Sequence, residues 1–315
     1  MCKVAIPKFQ QASSYGFPHP HPLSVERVEQ FYRKLDTLDI DRDLDYFQSS
    51  GDDESKLLLF HEKNYIDFVR RKSERGEGYL DDGDTPAYKG IYLSSRRVVY
   101  DTLMCATMIL DGITDHGFNP SGGLHHAFPN RASGFCVFND IGVLVNFIRS
   151  RSKLRRILYI DIDAHHGDGV FYSFDSDPEV VILDIHEDGR FLFPGTGSPE
   201  ERGKGIATGT KLNICLPPGA KDDSLLNALV SSEQFILDSR ADFVIVQCGA
   251  DGLAGDPITH LKYSLEDYDN AIQWIHRISH RISSGKLLLL GGGGYNVTNV
   301  SSAWIRAMKR IIVDI

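Results

Sequence analysis

The chain has 315 residues, and 34 Lys+Arg against 43 Asp+Glu give it a formal charge of −9. That balance argues against direct electrostatic binding of nucleic acid and favours a cationic ligand. With 42% apolar and 24% charged residues the chain is composed as a globular rather than a disordered protein, and apolar runs such as Leu287–Leu290 fall far short of the roughly 20 residues that span a bilayer.

In chain order, apolar spacing predicts helices over Ser24–Leu38 and Ser94–Leu110. Between them, the Gly-, Asp- and Pro-rich stretch Gly76–Gly90 reads as a surface loop. The basic cluster Arg149, Arg151, Lys153, Arg155 and Arg156 reads as a solvated helix end before a strand, with a nuclear signal or a phosphate site as the alternative. From about Arg155 onward, β-rich apolar runs alternate with amphipathic stretches. Strands are predicted at Ile157–Ile160, Val180–Leu183, Phe243–Val246 and Leu287–Leu290, with one helix over Ser224–Asp238 and another beginning at Ser264. Ser264 followed by Asp267 is a capping pattern, and Ile272, Ile275 and Ile278 form the buried stripe of that second helix. Such alternation is the signature of an α/β protein with a parallel sheet between helices. No repeat or linker divides the chain, so residues 1–315 are read as a single domain.

The opening Met1-Cys2-Lys3-Val4 lacks the apolar stretch of a signal peptide, and Cys2, Cys105, Cys136, Cys215 and Cys248 are too widely spaced for a C-x-x-C site. The expectation is a cytoplasmic protein with reduced thiols and no membrane association, which leaves a nuclear location open.

Ligands of open α/β sheets bind beyond the carboxyl ends of the strands, so the residues after each apolar run come next. Ile157–Ile160 leads into Asp161-Ile162-Asp163-Ala164-His165-His166-Gly167-Asp168-Gly169. Phe243–Val246 leads into Gln247-Cys248-Gly249-Ala250-Asp251, and Leu287–Leu290 into four glycines and Tyr295. One Asp or His at a strand end is usually a cap, but carboxylates gathered at one spot require a neutralising cation. Alternation places Asp161, Asp163 and His165 on one face, with Asp251 arriving from another strand. Carboxylates plus an imidazole with a coordination position left over suit a catalytic divalent metal. A second constellation, Gly122-Gly123-Leu124-His125-His126, supplies imidazoles for proton transfer, and the Tyr295 phenol is placed to hydrogen-bond an oxyanion.

Taken in order, His125-His126, Ser133-Gly134-Phe135, the Asp161–Gly169 run, Phe193-Pro194-Gly195-Thr196-Gly197, Gln247–Asp251 and Gly291–Tyr295 resemble the zinc-dependent histone deacetylase family, from His21-Pro22 and Arg27 to Tyr295. Gly83-Asp84-Thr85-Pro86 and Asp256–Leu261 are most similar to the microbial acetoin-utilisation-type members, close to class I. The resemblance implies a three-layer α/β/α, arginase-like fold with a mainly parallel sheet of about eight strands.

It also implies Asp163, His165 and Asp251 as ligands of Zn2+, with Fe2+ equally suited to two carboxylates and one imidazole, and moves Asp161 outside that set. There Asp161 would orient His125 and help hold K+, and Asp168 would orient His126. Gly134, Phe135 and Phe193 would line a tunnel for a slender acylated amine. Asp84 matches the rim aspartate of protein-deacetylating members, and Ile258 stands where acetylpolyamine-specific members carry a glutamate.

The expected reaction is removal of an acetyl or other short acyl group from lysine in an acetylated peptide or protein, releasing acetate. A small acetylated amine such as an acetylpolyamine is the alternative substrate. Two rival functions fit less well. A two-manganese ureohydrolase needs an aspartate where Gly167 stands, and a non-hydrolysing acyl-lysine-binding scaffold would have lost a ligand or the tyrosine.

Overall fold

The structure, a computed structural model, describes residues 1–10, 14–49 and 53–313. Eight strands, β1 (Val4–Pro7), β2 (Leu44–Phe47), β3 (His116–Asn119), β4 (Ile157–Asp161), β5 (Val180–Glu187), β6 (Lys211–Leu216), β7 (Phe243–Gln247) and β8 (Leu287–Leu290), form one sheet in the order β2-β1-β3-β8-β7-β4-β5-β6. Every pairing in it is parallel, so "mainly parallel" becomes wholly parallel.

The central strands are buried on both faces, and period-2 alternation deals their side chains to two cores. Leu158 and Ile160 of β4, Val244 and Val246 of β7, and Leu287 and Leu289 of β8 join one core. That layer is supplied by helices α1 (Glu26–Leu35), α6 (Ser224–Ser231), α7 (Glu233–Ser239), α8 (Leu265–Ser283) and α9 (Val297–Ile312). Ile157, Tyr159, Phe243, Ile245, Leu288 and Leu290 join the other core, with α2 (Lys63–Arg75), α3 (Ile91–Leu110), α4 (Asp140–Arg151) and α5 (Asp168–Ser173). The result is the expected three-layer α/β/α arrangement.

Local chemistry explains most boundaries. Ser264 Oγ accepts from the Asp267 N–H at 3.1 Å and starts α8 where the capping pattern places it. Asn296 caps α9 immediately after Tyr295, accepting from the Thr298 and Asn299 N–H groups. The expected helix over Ser224–Asp238 is instead two. Ser231 and Ser232 hydroxyls both donate to the Ala228 carbonyl, at 2.9 and 2.8 Å, and the chain turns at Ser232 between α6 and α7. Residues 76–90 are loop, as expected, and the basic cluster at the end of α4 is a solvated end whose Arg149 and Arg151 pair with Asp177 and Asp111.

Trp304 of α9 ties this frame to the functional edge. It is fully buried, meets Phe31 and Phe118 edge-on at 5.9 and 6.1 Å, and donates its indole N–H to the Gly291 carbonyl at 3.2 Å. Replacing Trp304 with Ala removes that packing and leaves a cavity, so we expect a loss of about 3–5 kcal/mol in denaturant-unfolding stability.

Candidate metal centre and active site

Parallel register aligns the carboxyl ends of four strands, with Asp184 of the longer β5 beside them. Asn119 pairs with Leu290, Leu290 with Gln247, Gln247 with Asp161, and Asp161 with Asp184. All the loops singled out by residue type therefore leave the sheet along one edge. Glycines 292 and 122 bridge two of them, the Gly292 N–H donating to the Gly122 carbonyl at 2.8 Å.

Asp163, His165 and Asp251 meet at this edge, each buried and each offering a ligand atom within 4.8 Å of the others. His165 Nδ1 is 3.0 Å from Asp163 Oδ1 and 3.1 Å from Asp251 Oδ2. The remaining carboxylate oxygens are held by neighbours. Asp163 Oδ2 accepts from Gln247 Nε2 at 2.6 Å and from the Gly293 N–H at 2.8 Å. Asp251 Oδ1 accepts from the Ala164 N–H at 2.8 Å. Such outer bonds aim a ligand and leave its inner oxygen available.

Asp161 is not in this group, contrary to the alternating pattern expected of an extended segment. The chain curls away from extended geometry after β4, and Asp161 Oδ2 accepts instead from Tyr159 at 2.5 Å and faces His125 Nδ1 at 2.7 Å. His126 Nδ1 likewise faces Asp168 Oδ1 at 2.7 Å.

Electrostatics separates the two adjacent imidazoles. Burial works against charge on His125, but Asp161 and Asp163 hold its pKa up at about 9. Burial, reinforced by the His125 charge, pushes His126 down to about 4, so His126 is neutral at physiological pH. At His165 burial also opposes protonation, yet Asp163 and Asp251 raise it to about 10. Burial and the Asp163 charge lift Asp251 to about 7. The bare set thus recruits a proton to neutralise its two carboxylates, which is the fit a divalent cation would satisfy better.

Around this centre, Gly134 occupies a left-handed turn at φ +52, where a Cβ would lie 2.5 Å from the His126 ring and 2.8 Å from Phe193. Phe135 stands edge-on to Tyr295 at 6.0 Å, and Phe193 edge-on to His126 at 5.0 Å. Tyr295 lies 6.3 Å from the His165 ring, and its backbone N–H donates to Asp256 at 2.8 Å. Burial, then the Asp251 and Asp163 charges, raise the Tyr295 phenol well above its ordinary value and keep it a donor.

Asp84, Gly134 and Phe193 line one open groove of about 630 Å³, together with Asp81, Asp82 and Arg131. Ile258 is not among that groove's lining residues. It is half-buried on the loop beyond Asp251, its N–H bonded to Asp256 at 3.1 Å.

Several members of the site had no assigned role in sequence. Asp184, which bonds His186 at 2.7 Å, follows the predicted strand Val180–Leu183 directly, and the strand-end rule reaches it. Gln247 sits at the same kind of position. By contrast, nothing in local sequence marks Tyr159, and local sequence assigns no bonding partner to Asp140 or to Asp256, the first residue of the Asp256–Leu261 motif. Asp140 receives the Gly123 and Leu124 N–H groups and so fixes the turn before His125.

A family model described as the histone deacetylase domain matches residues 21–311. The acetoin utilization protein AcuC of Bacillus subtilis (strain 168) is 38% identical over 312 residues, spanning 96% of this chain and 80% of that protein. AcuC of Staphylococcus aureus (strain MRSA252) is 31% identical over 321 residues, spanning 99% of this chain and 82% of that protein. The fold superposes on the crystal structure of the HDA15 HD domain with a TM-score of 0.89 at 24% identity, covering 99% of this chain and 90% of that one.

The convergence of Asp163, His165 and Asp251 makes two measurable demands. A Cβ on Gly293 would lie 2.2 Å from Asp251 Oδ2 and 2.6 Å from Asp163 Oδ2, so Gly293→Ala should abolish Zn2+ binding at this site, measured by calorimetry. Because the raised His165 pKa of about 10 means a proton must leave before a metal enters, Zn2+ affinity should climb with pH up to that value. The proton release should appear as a dependence of binding heat on buffer ionisation enthalpy.

The family model spans almost the whole length, and relatives above 30% identity do the same. The chain belongs to the histone deacetylase family and is a deacetylase of the hydrolase class.

Proposed function

We propose that this protein is a metal-dependent deacetylase that hydrolyses the acetyl, or another short acyl, amide on the ε-amine of lysine in a peptide or protein, releasing acetate. The observation that carries the reading is the convergence of Asp163, His165 and Asp251 beside a neutral His126 and a protonated Tyr295. Held by those three ligands, a divalent cation (Zn2+ or Fe2+) supplies Lewis-acid polarisation of an acyl carbonyl and acidifies water.

The protein's own groups perform the rest. Asp168 holds the His126 ring through Nδ1, so Nε2 is the nitrogen that takes a proton from the attacking water. His125, cationic against Asp161, keeps positive charge beside the developing oxyanion. The Tyr295 hydroxyl donates to that oxyanion. As the C–N bond breaks, the proton gathered on His126 passes to the leaving amine. Phe135 and Phe193, with Gly134 between them, form walls for an aliphatic stem, and Asp84 on the rim accepts from the substrate backbone.

The K+ expected beside Asp161 belongs to this proposal. It is supported by the register that sets the buried carboxylates of Asp161 and Asp184 opposite one another on β4 and β5.

The carboxylates of Asp81, Asp82 and Asp84 along the groove favour a cationic substrate, which an acetylated polyamine also satisfies. Ile258, an apolar side chain where a carboxylate would grip a second amine, favours the peptide. The ureohydrolase reading is disfavoured because a Cβ on Gly167 would lie 2.5 Å from Asp161 Oδ2, so no carboxylate can enter from that position.

Tyr295→Phe should lower kcat by about 10²–10³ with bound metal unchanged, because one oxyanion donor is lost. Chelation should abolish turnover and Zn2+ restore it. On a panel of acetyl-lysine peptides and acetylpolyamines, kcat/KM should be higher for the peptides. Full activity in Tyr295→Phe, or preferential turnover of polyamines, would overturn the respective assignment.

A further inference from the structure

Far from the reacting edge, four metal-ligating side chains converge at the opposite edge of the sheet. Cys2 lies two residues before β1, His116 is the first residue of β3, and His276 and His280 stand one turn apart on the same side of α8. One atom of each lies within 4.8 Å of the others. All the strands are parallel, so the start of β3 and the carboxyl ends that carry Asp163 and Asp251 lie on opposite edges.

We propose that Cys2, His116, His276 and His280 form a second, structural metal site that takes one Zn2+ in a tetrahedral set of one thiolate and three imidazoles.

The three imidazoles approach one another through the same nitrogen. Nε2 of His116 is 2.9 Å from Nε2 of His276 and 3.4 Å from Nε2 of His280, and those two are 3.1 Å apart. Three nitrogens bound to one zinc at tetrahedral angles sit roughly 3.3 Å apart, so the observed triangle matches that spacing to within a few tenths of an ångström.

Hydrogen bonding alone does not account for the triangle. His116 Nδ1 donates to the Gly285 carbonyl at 2.8 Å, so its single neutral-state hydrogen points outward and Nε2 presents a lone pair. No choice of tautomer at His276 and His280 then gives all three contacts both a donor and an acceptor, inside a site where Cys2, His116 and His276 are 5, 0 and 2% exposed. Lone pairs facing each other away from water are costly unless a cation lies between them. The outward bond from His116 to a backbone carbonyl is also the support a metal-bound imidazole ordinarily has.

The donor set points to Zn2+ rather than to Mg2+ or Ca2+. It contains soft sulfur and imidazole nitrogen and no carboxylate, and a closed four-ligand set leaves no position for chemistry. Its effect would be to clamp the start of β1, the start of β3 and α8 together.

The test uses the full chain, stripped with chelator and reloaded with Co2+ as a spectroscopic stand-in for Zn2+. About two Co2+ per chain are expected, with near-ultraviolet thiolate-to-cobalt charge transfer. Cys2→Ser should remove that absorption while leaving deacetylase turnover in place. His280→Gln, at the partly exposed ligand, should lower the stoichiometry to about one and shift the thermal midpoint of the Zn2+-loaded protein down by a few degrees. Asp251→Asn, which touches only the other site, should also bind about one Co2+ but keep the thiolate absorption. A wild-type chain that binds one Co2+ without thiolate absorption, or an absorption that survives Cys2→Ser, would overturn the proposal. Retention of the absorption by Asp251→Asn keeps the test valid even if a cluster variant fails to fold.

Discussion

Two carboxylates and an imidazole meet buried at the carboxyl edge of the sheet, and that electrostatic demand organises the rest of the site. Asp163 is fixed by Gln247 and the Gly293 N–H, and Asp251 by the Ala164 N–H, so neither can swing away to relieve repulsion. The strand register supplies the rigidity. Asp161, Gln247 and Leu290 are paired neighbours in adjacent strands, and the loops that follow them cannot drift apart without breaking the sheet. Support continues outward to α1, where the buried Arg27 guanidinium donates to the Gly292 and Gly294 carbonyls at 3.1 and 2.8 Å and lies over Trp304. A residue of an outer-layer helix therefore shapes the glycine loop that bonds Asp163.

His125 and His126 show how little of a residue's role resides in its type. They are sequence neighbours with rings 4.0 Å apart, and each has a carboxylate on Nδ1. One is held cationic and the other neutral. The difference is that His125 also feels Asp163, whereas the largest charge acting on His126 is His125 itself. Two like groups pushed apart in pKa put a fixed positive charge beside a neutral imidazole that is free to take up a proton. The hydrolytic reading rests on this asymmetry as much as on the ligand triad.

Substrate selection belongs to a different layer. The inner walls are aromatic and narrow, while the groove outside them carries Asp81, Asp82 and Asp84. Asp81 receives the N–H groups of Gly83, Asp84 and Thr85, at 3.1, 3.1 and 2.9 Å, so the rim aspartate sits on a loop braced from within rather than on a free tip. An acidic, preorganised mouth on a chain of net charge −9 gathers cations generally. Arg131 stands among those carboxylates on the groove wall, so the mouth is acidic without being uniformly so.

Sequence alone determined the fold class, the four central strands that enter the site, the capped start of α8 and the identity of the ligand loops. These are encoded locally, in apolar runs of β-branched and Leu residues and in the polar residues just beyond them. Short β1, β2 and β3, four residues each and with Pro, Asp, Gly and His among them, carry no such periodic signal. Ser231 and Ser232 broke a helix whose apolar spacing looks continuous, because their hydroxyls compete for a carbonyl that spacing does not see. Tertiary structure decided that Asp163 joins His165 and Asp251 while Asp161 turns to Tyr159 and His125, since one bend after β4 sends the two aspartates in different directions. It also decided that Asp140 fixes the turn before His125, and that Cys2, His116, His276 and His280 meet at all. Residues as far apart in the chain as Cys2 and His276 become neighbours only through strand order and helix docking, and no local pattern encodes that proximity.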